Sequence, residues 1–157
     1  MKPAFDLAPS KPLTPSDAVA ALIRTRDGRY LLQHRDAVKS IFYPDHWGCF
    51  GGAMEPGESE MGTLRRELRE ELALQLDESR VKPFGRFRFS LDGAGIAPFD
   101  RFYYDVMIDA DAVKGFTLGE GAGMELIDGR QALHERRLVP YDSFALWLHY
   151  YQGMLSG

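Results

Sequence analysis

One stretch constrains this chain more than any other. Over residues 60–74, Met61, Leu64, Leu68 and Leu72 recur at spacings of 3, 4 and 4. At about 100° per residue that pattern draws a single narrow apolar stripe, so the segment is predicted to be a helix with one face on a core. Ser59 stands just before it as a candidate N-cap, after the turn sequence Glu55-Pro56-Gly57-Glu58. On the same projection Glu60, Glu67 and Glu71 fall within about 40° of one another, with Glu70 further round. Arg65 and Arg69 take the opposite flank of the stripe. Glu67 and Glu71 are i,i+4 neighbours, and two unit charges at that distance repel by roughly 3 kcal/mol at an effective dielectric of 20. Two readings offset that repulsion. The face is solvated, with Arg66 bonding Glu70, or it holds a hard divalent cation, for which carboxylate oxygens are the natural donors. Clustering alone does not separate them.

The rest of the chain is that of an ordinary globular protein. Its 157 residues suffice for one domain with a core, and 45% hydrophobic with 27% charged residues excludes disorder. A net charge of −4 gives no general attraction to nucleic acid or to an anionic membrane, so a phosphate-bearing ligand must be held locally. The single cysteine, Cys49, forms no internal disulfide and suits a reducing compartment. No apolar run reaches the roughly 18–20 residues that span a bilayer, and no signal-peptide core is evident at the N-terminus. The expectation is a cytoplasmic protein without membrane contact.

Residues 1–15, with four prolines, read as an extended arm before a single domain over 16–157. Residues 17–25 suit a buried strand, Asp27-Gly28 a tight turn, and residues 30–34 the returning strand. Residues 37–46 read as a loop and residues 47–50 as a short strand entering Gly51-Gly52. Residues 84–91 and 101–108 alternate as an antiparallel pair around a loop at 92–100. Residues 116–127 are part strand and part glycine-rich loop, and two helices are predicted at 129–138 and 141–154, parted by Pro140. The order implies a mixed α/β layer fold.

Residues 52–74 read GAMEPGESEMGTLRRELREELAL. This resembles the Nudix box, in which a glycine, a glutamate and an Arg-Glu-apolar-x-Glu-Glu-x-Gly-apolar run stand at fixed spacing. Gly52, Glu58, Arg66, Glu67, Leu68, Glu70, Glu71 and Leu74 are in register. Ala73 replaces the usual glycine at the helix end, where a positive φ favours glycine, so this helix is expected to end differently. Phe50 stands before Gly51-Gly52 where the family often has proline.

The resemblance implies an α/β/α sandwich with a mixed β-sheet, and a Mg²⁺- or Mn²⁺-dependent hydrolase that cleaves a diphosphate bond in a nucleoside diphosphate linked to another group. It assigns the metal to Glu67, Glu70, Glu71 and the Gly51 carbonyl. Arg66 orients the glutamates, and Gly52 and Glu58 hold the motif's shape. The base that takes a proton from water is Glu67 or a later loop glutamate, Glu120 first and Glu125 second. For the substrate, Arg86, Arg88 and Arg101 are candidate phosphate contacts, while Tyr103, Tyr104, Phe87 and Phe89 are candidate stacking faces. Each also has a plain structural reading, as strand edge or core. Cys49 is expected to be a buried, inert thiol. The partner is a nucleotide-like small molecule and not a nucleic acid polymer, and the chain is a monomer or homodimer. The alternative is a Nudix-like domain that senses a nucleotide metabolite without cleaving it.

Overall fold

The computed structural model describes residues 15–38, 40–91, 93 and 95–155. The arm expected at 1–15 lies, but for its last residue, outside them. The central strand is β1 (Ala18–Arg24), buried along almost its whole length. Val19, Ala21 and Ile23 point to one layer of helix, Ala20 and Leu22 to the other. Burial on both faces explains why the sequence there is continuously apolar and not alternating.

Among the described residues seven strands form one mixed sheet. β1 runs parallel to β6 (Ile96–Met107), which pairs antiparallel with the edge strand β5 (Val81–Leu91). On its other edge β1 is shared. Its first half, Ala18 to Ala21, pairs with β4 (Phe50–Ala53), and only Arg24 pairs with Tyr30 of β2 (Arg29–His34). β2 in turn pairs with β3 (Trp47–Gly48) on one side and β7 (Gly123–Asp128) on the other. β1 and β2 therefore diverge beyond the turn, and the β3–β4 stretch crosses the gap from one to the other.

Helix α1 (Glu60–Leu72) covers one face of this sheet. Its Leu64, Leu68 and Leu72 are fully buried against Val19, Ala21, Ile23, Leu31, Phe50, Tyr104 and Val106, and Met61 packs at the margin. Each such leucine contributes about 1.5–3 kcal/mol by leaving water. Helices α2 (Gly129–Glu135) and α3 (Pro140–Leu155) cover the other face, where Ala132, Ala145 and Leu146 meet Ala20, Leu22 and Tyr30. The α/β/α sandwich with a mixed sheet is the architecture observed.

Several boundaries differ from expectation. Both strands of the β5–β6 hairpin begin earlier than the expected 84 and 101, and much of the expected 92–100 loop is strand. Pro83 and Pro98 made those ends look non-strand. Pro83 falls at a register shift of an edge strand, a position that tolerates a missing donor. Helix α2 stops early because residues 137–139 leave it to pair with Trp47, whose N–H donates to the Arg137 carbonyl at 2.8 Å. Pro140 begins α3 instead of lying between helices, the first-turn placement that costs a helix no hydrogen bond.

Candidate active site

The box folds as a strand, a turn and a helix pinned together by its own side chains. Ser59 caps α1, accepting from the Gly62 N–H at 3.0 Å. Arg66 organises the motif. Its guanidinium donates Nε to Glu58 Oε2 at 2.7 Å and Nη2 to Glu58 Oε1 at 2.9 Å. It also donates Nη2 to the Ala53 carbonyl at 3.1 Å and Nη1 to Glu67 Oε1 at 2.6 Å. Glu70 is more distant from it, at 3.4 Å, and half-exposed. The forked pair from Arg66, with the Glu55 N–H and the Thr63 hydroxyl, holds the Glu58 carboxyl down at about 2. Glu58 thus acts as a charged strut across the turn.

At the helix end, Ala73 takes the left-handed conformation (φ 55°, ψ 26°) that glycine provides elsewhere. Its N–H donates to the Arg69 carbonyl at 2.9 Å, and the Leu74 N–H to Leu68 at 3.2 Å. The expectation that alanine would end the helix differently is thus corrected. The chain makes the turn anyway, because these bonds and the burial of Leu72 and Leu74 outweigh the strain.

Glu71 is buried, at 4% exposure. Its Oε2 accepts from the Gly51 N–H at 2.8 Å and its Oε1 lies 3.5 Å from Gln33 Nε2. Gly51 has φ 139°, and a Cβ there would stand 2.1 Å from the Val19 carbonyl, so only glycine lets β4 approach β1 this closely. A Cβ on Gly52 would lie 2.5 Å from the Glu67 carboxyl, which occupies that space. Burial, with the charges of Glu67 and Glu120 adding to it, pushes Glu71 up to about 8 against the help of the Gly51 N–H. Burial also raises Glu67, with Arg66 opposing and Glu70 and Glu120 adding to the rise. The loop carrying Glu120 therefore stands within electrostatic reach of both helix carboxylates.

Among the described residues no three acidic, histidine or cysteine side chains already converge as a closed cation cage. The donor set nevertheless fits a hard divalent ion: all its groups are oxygens, the buried Glu71 carboxyl accepts from neutral donors, and Glu67 shares Arg66 with Glu58.

The other candidates are dispersed. Glu125 is cross-strand partner of Leu32, on the opposite face of the sheet, and pairs with Arg136 at 2.9 Å. Arg101 and Tyr103 also face α3, where Tyr103 donates to Asp142 Oδ1 at 2.7 Å and Arg101 Nη2 at 3.2 Å. At 1% exposure Tyr103 offers no ring face to a ligand, and Arg101 stacks on Tyr141 at 4.2 Å from its centroid. Both belong to the seam between sheet and α3. Arg86 and Arg88 remain exposed on β5, with Arg86 paired to Asp100 at 2.6 Å. Tyr104 donates its hydroxyl to Glu60, and Phe87 and Phe89 pack against Phe144 and Tyr141. Cys49 is buried, and burial raises its thiol well above the ordinary range, which keeps it protonated and inert. Sequence reasoning missed Gln33. The available signal was an amide two residues after Leu31, on the inward face of the strand.

The model of the NUDIX domain family matches residues 14–150. The chain belongs to the Nudix family. Among curated Nudix relatives, the nucleoside triphosphatase NudI of Enterobacter sp. (strain 638) is 45% identical over 58 residues, 37% of this chain and 40% of that protein. The matched stretch thus spans well under half the length of the curated relatives. Nudix structures share the fold at lower identity. A MutT protein from Methanosarcina mazei Go1 superposes with a TM-score of 0.68 at 22% identity, covering 90% of this chain and 96% of its own. The NUDIX domain of Shewanella oneidensis NrtR, complexed with ADP ribose, gives 0.66 at 15% identity, covering 91% and 90%. Among the described residues no helix of this Nudix chain is long and apolar enough to cross a membrane.

Proposed function

We propose that this chain is a divalent-metal-dependent hydrolase that cleaves a diphosphate linkage in a nucleotide-like substrate and releases a monophosphate product. The observation that carries the reading is the meeting of Glu67, Glu71, the Gly51–Gly52 backbone and the Glu120 loop at one place, with Arg66 locking the first of them. The naming of curated relatives as nucleoside triphosphatases supports the reaction class. The ADP ribose complex of a structural neighbour supports a nucleoside diphosphate joined to a second group as the ligand chemistry.

Glu67, Glu70, Glu71 and the Gly51 carbonyl are the groups that would hold Mg²⁺ or Mn²⁺. When bound, the metal neutralises phosphate charge and eases ionisation of water. The chain's own part is positional. Arg66 fixes one oxygen of Glu67 and leaves the other for work, while the Gly51 N–H fixes one oxygen of Glu71 and Gln33 stands 3.5 Å from the other. Glu67 or Glu120 takes the proton from the attacking water. Burial favours Glu67 in that role, since a raised carboxyl accepts a proton closer to neutral pH. Of the substrate-side residues, Arg86 and Arg88 stay exposed on the face that α1 covers and suit a terminal phosphate.

The test is a panel of nucleoside di- and triphosphate derivatives, assayed for monophosphate with Mg²⁺, with Mn²⁺ and with chelator. Turnover should require metal, and Glu67→Gln and Glu71→Gln should each lower kcat by about 10²- to 10⁴-fold while the fold persists. A folded, metal-binding protein that turns over nothing, yet binds a nucleotide tightly with or without Glu67, would establish the sensing domain in its place. The intact box carboxylates weigh against that second reading.

A further inference from the structure

Strand β2 reads RYLLQH, and its Gln33 faces the α1 layer, 5% exposed. Burying a primary amide is costly unless its hydrogen bonds are made. Gln33 makes those of its NH₂ group at the candidate site. Its Nε2 donates to the Glu120 carbonyl at 3.1 Å and lies 3.5 Å from Glu71 Oε1, the long end of hydrogen-bond range. The Glu120 carbonyl only accepts, so the NH₂ end of the amide must face it.

The segment that carries Glu120 is clamped from two sides. Toward α1, the Thr117 N–H donates to the Leu72 carbonyl at 3.0 Å and the Gly119 N–H to Glu71 at 2.7 Å. A Cβ on Gly119 would come within 2.2 Å of the Glu70 carbonyl. Toward β2, the Ala122 N–H donates to the His34 carbonyl at 2.8 Å. Gly121, at φ 94°, passes so near that a Cβ would lie 3.0 Å from Gln33 Cγ. Residues 117–122 therefore bridge the helix end to the strand, and the Gln33 side chain reaches both the helix carboxylate and the loop backbone.

We propose that Gln33 is a positioning residue that sets the Glu120 loop and Glu71 in one frame, so that helix and loop carboxylates face the same ligand. What those carboxylates do rests on the hydrolase reading above; that Gln33 holds them in register does not.

Gln33→Met removes the donor at similar volume, and Gln33→Glu replaces it with a carboxyl facing the Glu120 carbonyl. In the full chain without metal, amide hydrogen exchange at Gly119 and Ala122, whose N–H groups are bonded, should quicken at least about tenfold in both variants. Mn²⁺ affinity, read by calorimetry, should weaken by about 10- to 100-fold, as for other groups that orient metal ligands. In turnover kcat should fall while KM stays within a few-fold. Unchanged exchange and unchanged Mn²⁺ affinity in either folded variant overturns the proposal, and so does a lower Tm unaccompanied by either change. Glu71→Gln is the control. Wild-type Mn²⁺ affinity in that variant defeats the metal reading instead, and the metal-free exchange still decides on Gln33.

Discussion

Alanine at position 73 takes a backbone conformation that costs an L-residue about 1–2 kcal/mol, and it brings no side-chain hydrogen bond in return. Glycine would relieve the strain but lose more freedom on folding, by about 0.5–1 kcal/mol. The balance favours glycine. Ala73→Gly should stabilise the protein by about 0.5–1 kcal/mol and raise Tm by about 1–4 °C in a calorimetric scan. Because position 73 carries no group facing Glu67 or Glu71, kcat should not change. A lower Tm would mean that the alanine methyl contributes packing that the αL geometry alone does not reveal. At Arg66 the logic is reversed, since the side chain is everything there. Its fork reaches Glu58, Glu67 and the Ala53 carbonyl together, a geometry that a lysine ammonium does not reproduce.

Helix α1 is the element on which core and site depend together: one face carries Leu64, Leu68 and Leu72, and the adjoining face carries the carboxylates. Leu68→Ala should therefore cost about 2–5 kcal/mol in chemical unfolding, and its residual folded fraction should keep normal affinity for Mn²⁺. Weakened Mn²⁺ binding in the folded fraction would show that core packing also sets the carboxylate geometry. This helix was legible from the sequence because its information is local. Spacing gives the apolar face, and the fixed positions of Glu58, Arg66, Glu67 and Glu71 give the motif. Strand β1 was legible for a similar reason, as an apolar run between turn signals. The limits of the β5–β6 hairpin were not, because prolines 83 and 98 are tolerated only through their place in the sheet. Residues 116–127 were ambiguous because their order comes from partners far away in the chain: Leu72 and Glu71 on one side, β2 on the other. Arg101 and Tyr103 looked available because alternation says which residues share a face but not which layer covers it. Asp142, some forty positions later, is what claims them.

At the scale of the molecule, the site should control how stability depends on pH. Metal-free, the folded protein keeps Glu71 protonated up to about 8, whereas an unfolded glutamate loses its proton near its ordinary 4.5. Between pH 5 and 8 the folded state thus binds more protons than the unfolded one, and stability must fall as pH rises. Glu67 shifts in the same direction and adds to the fall. The carboxylates held low, Glu58 and Asp105 at about 2, have given their full contribution by pH 5 and do not mask it. At about 1.4 kcal/mol per unit the decline should amount to roughly 2–4 kcal/mol, after some relaxation of the buried site. A divalent cation on these oxygens favours the ionised form, so Mg²⁺ should stabilise little at pH 5.5 and strongly at pH 8. Urea midpoints in EDTA and in saturating Mg²⁺, at those two pH values, measure all four quantities. If stability in EDTA stays level or rises across the window, Glu71 does not retain its proton in the folded state. If Mg²⁺ adds the same increment at both pH values, the ion binds somewhere other than this helix, since only a site whose ligands must lose protons couples the two.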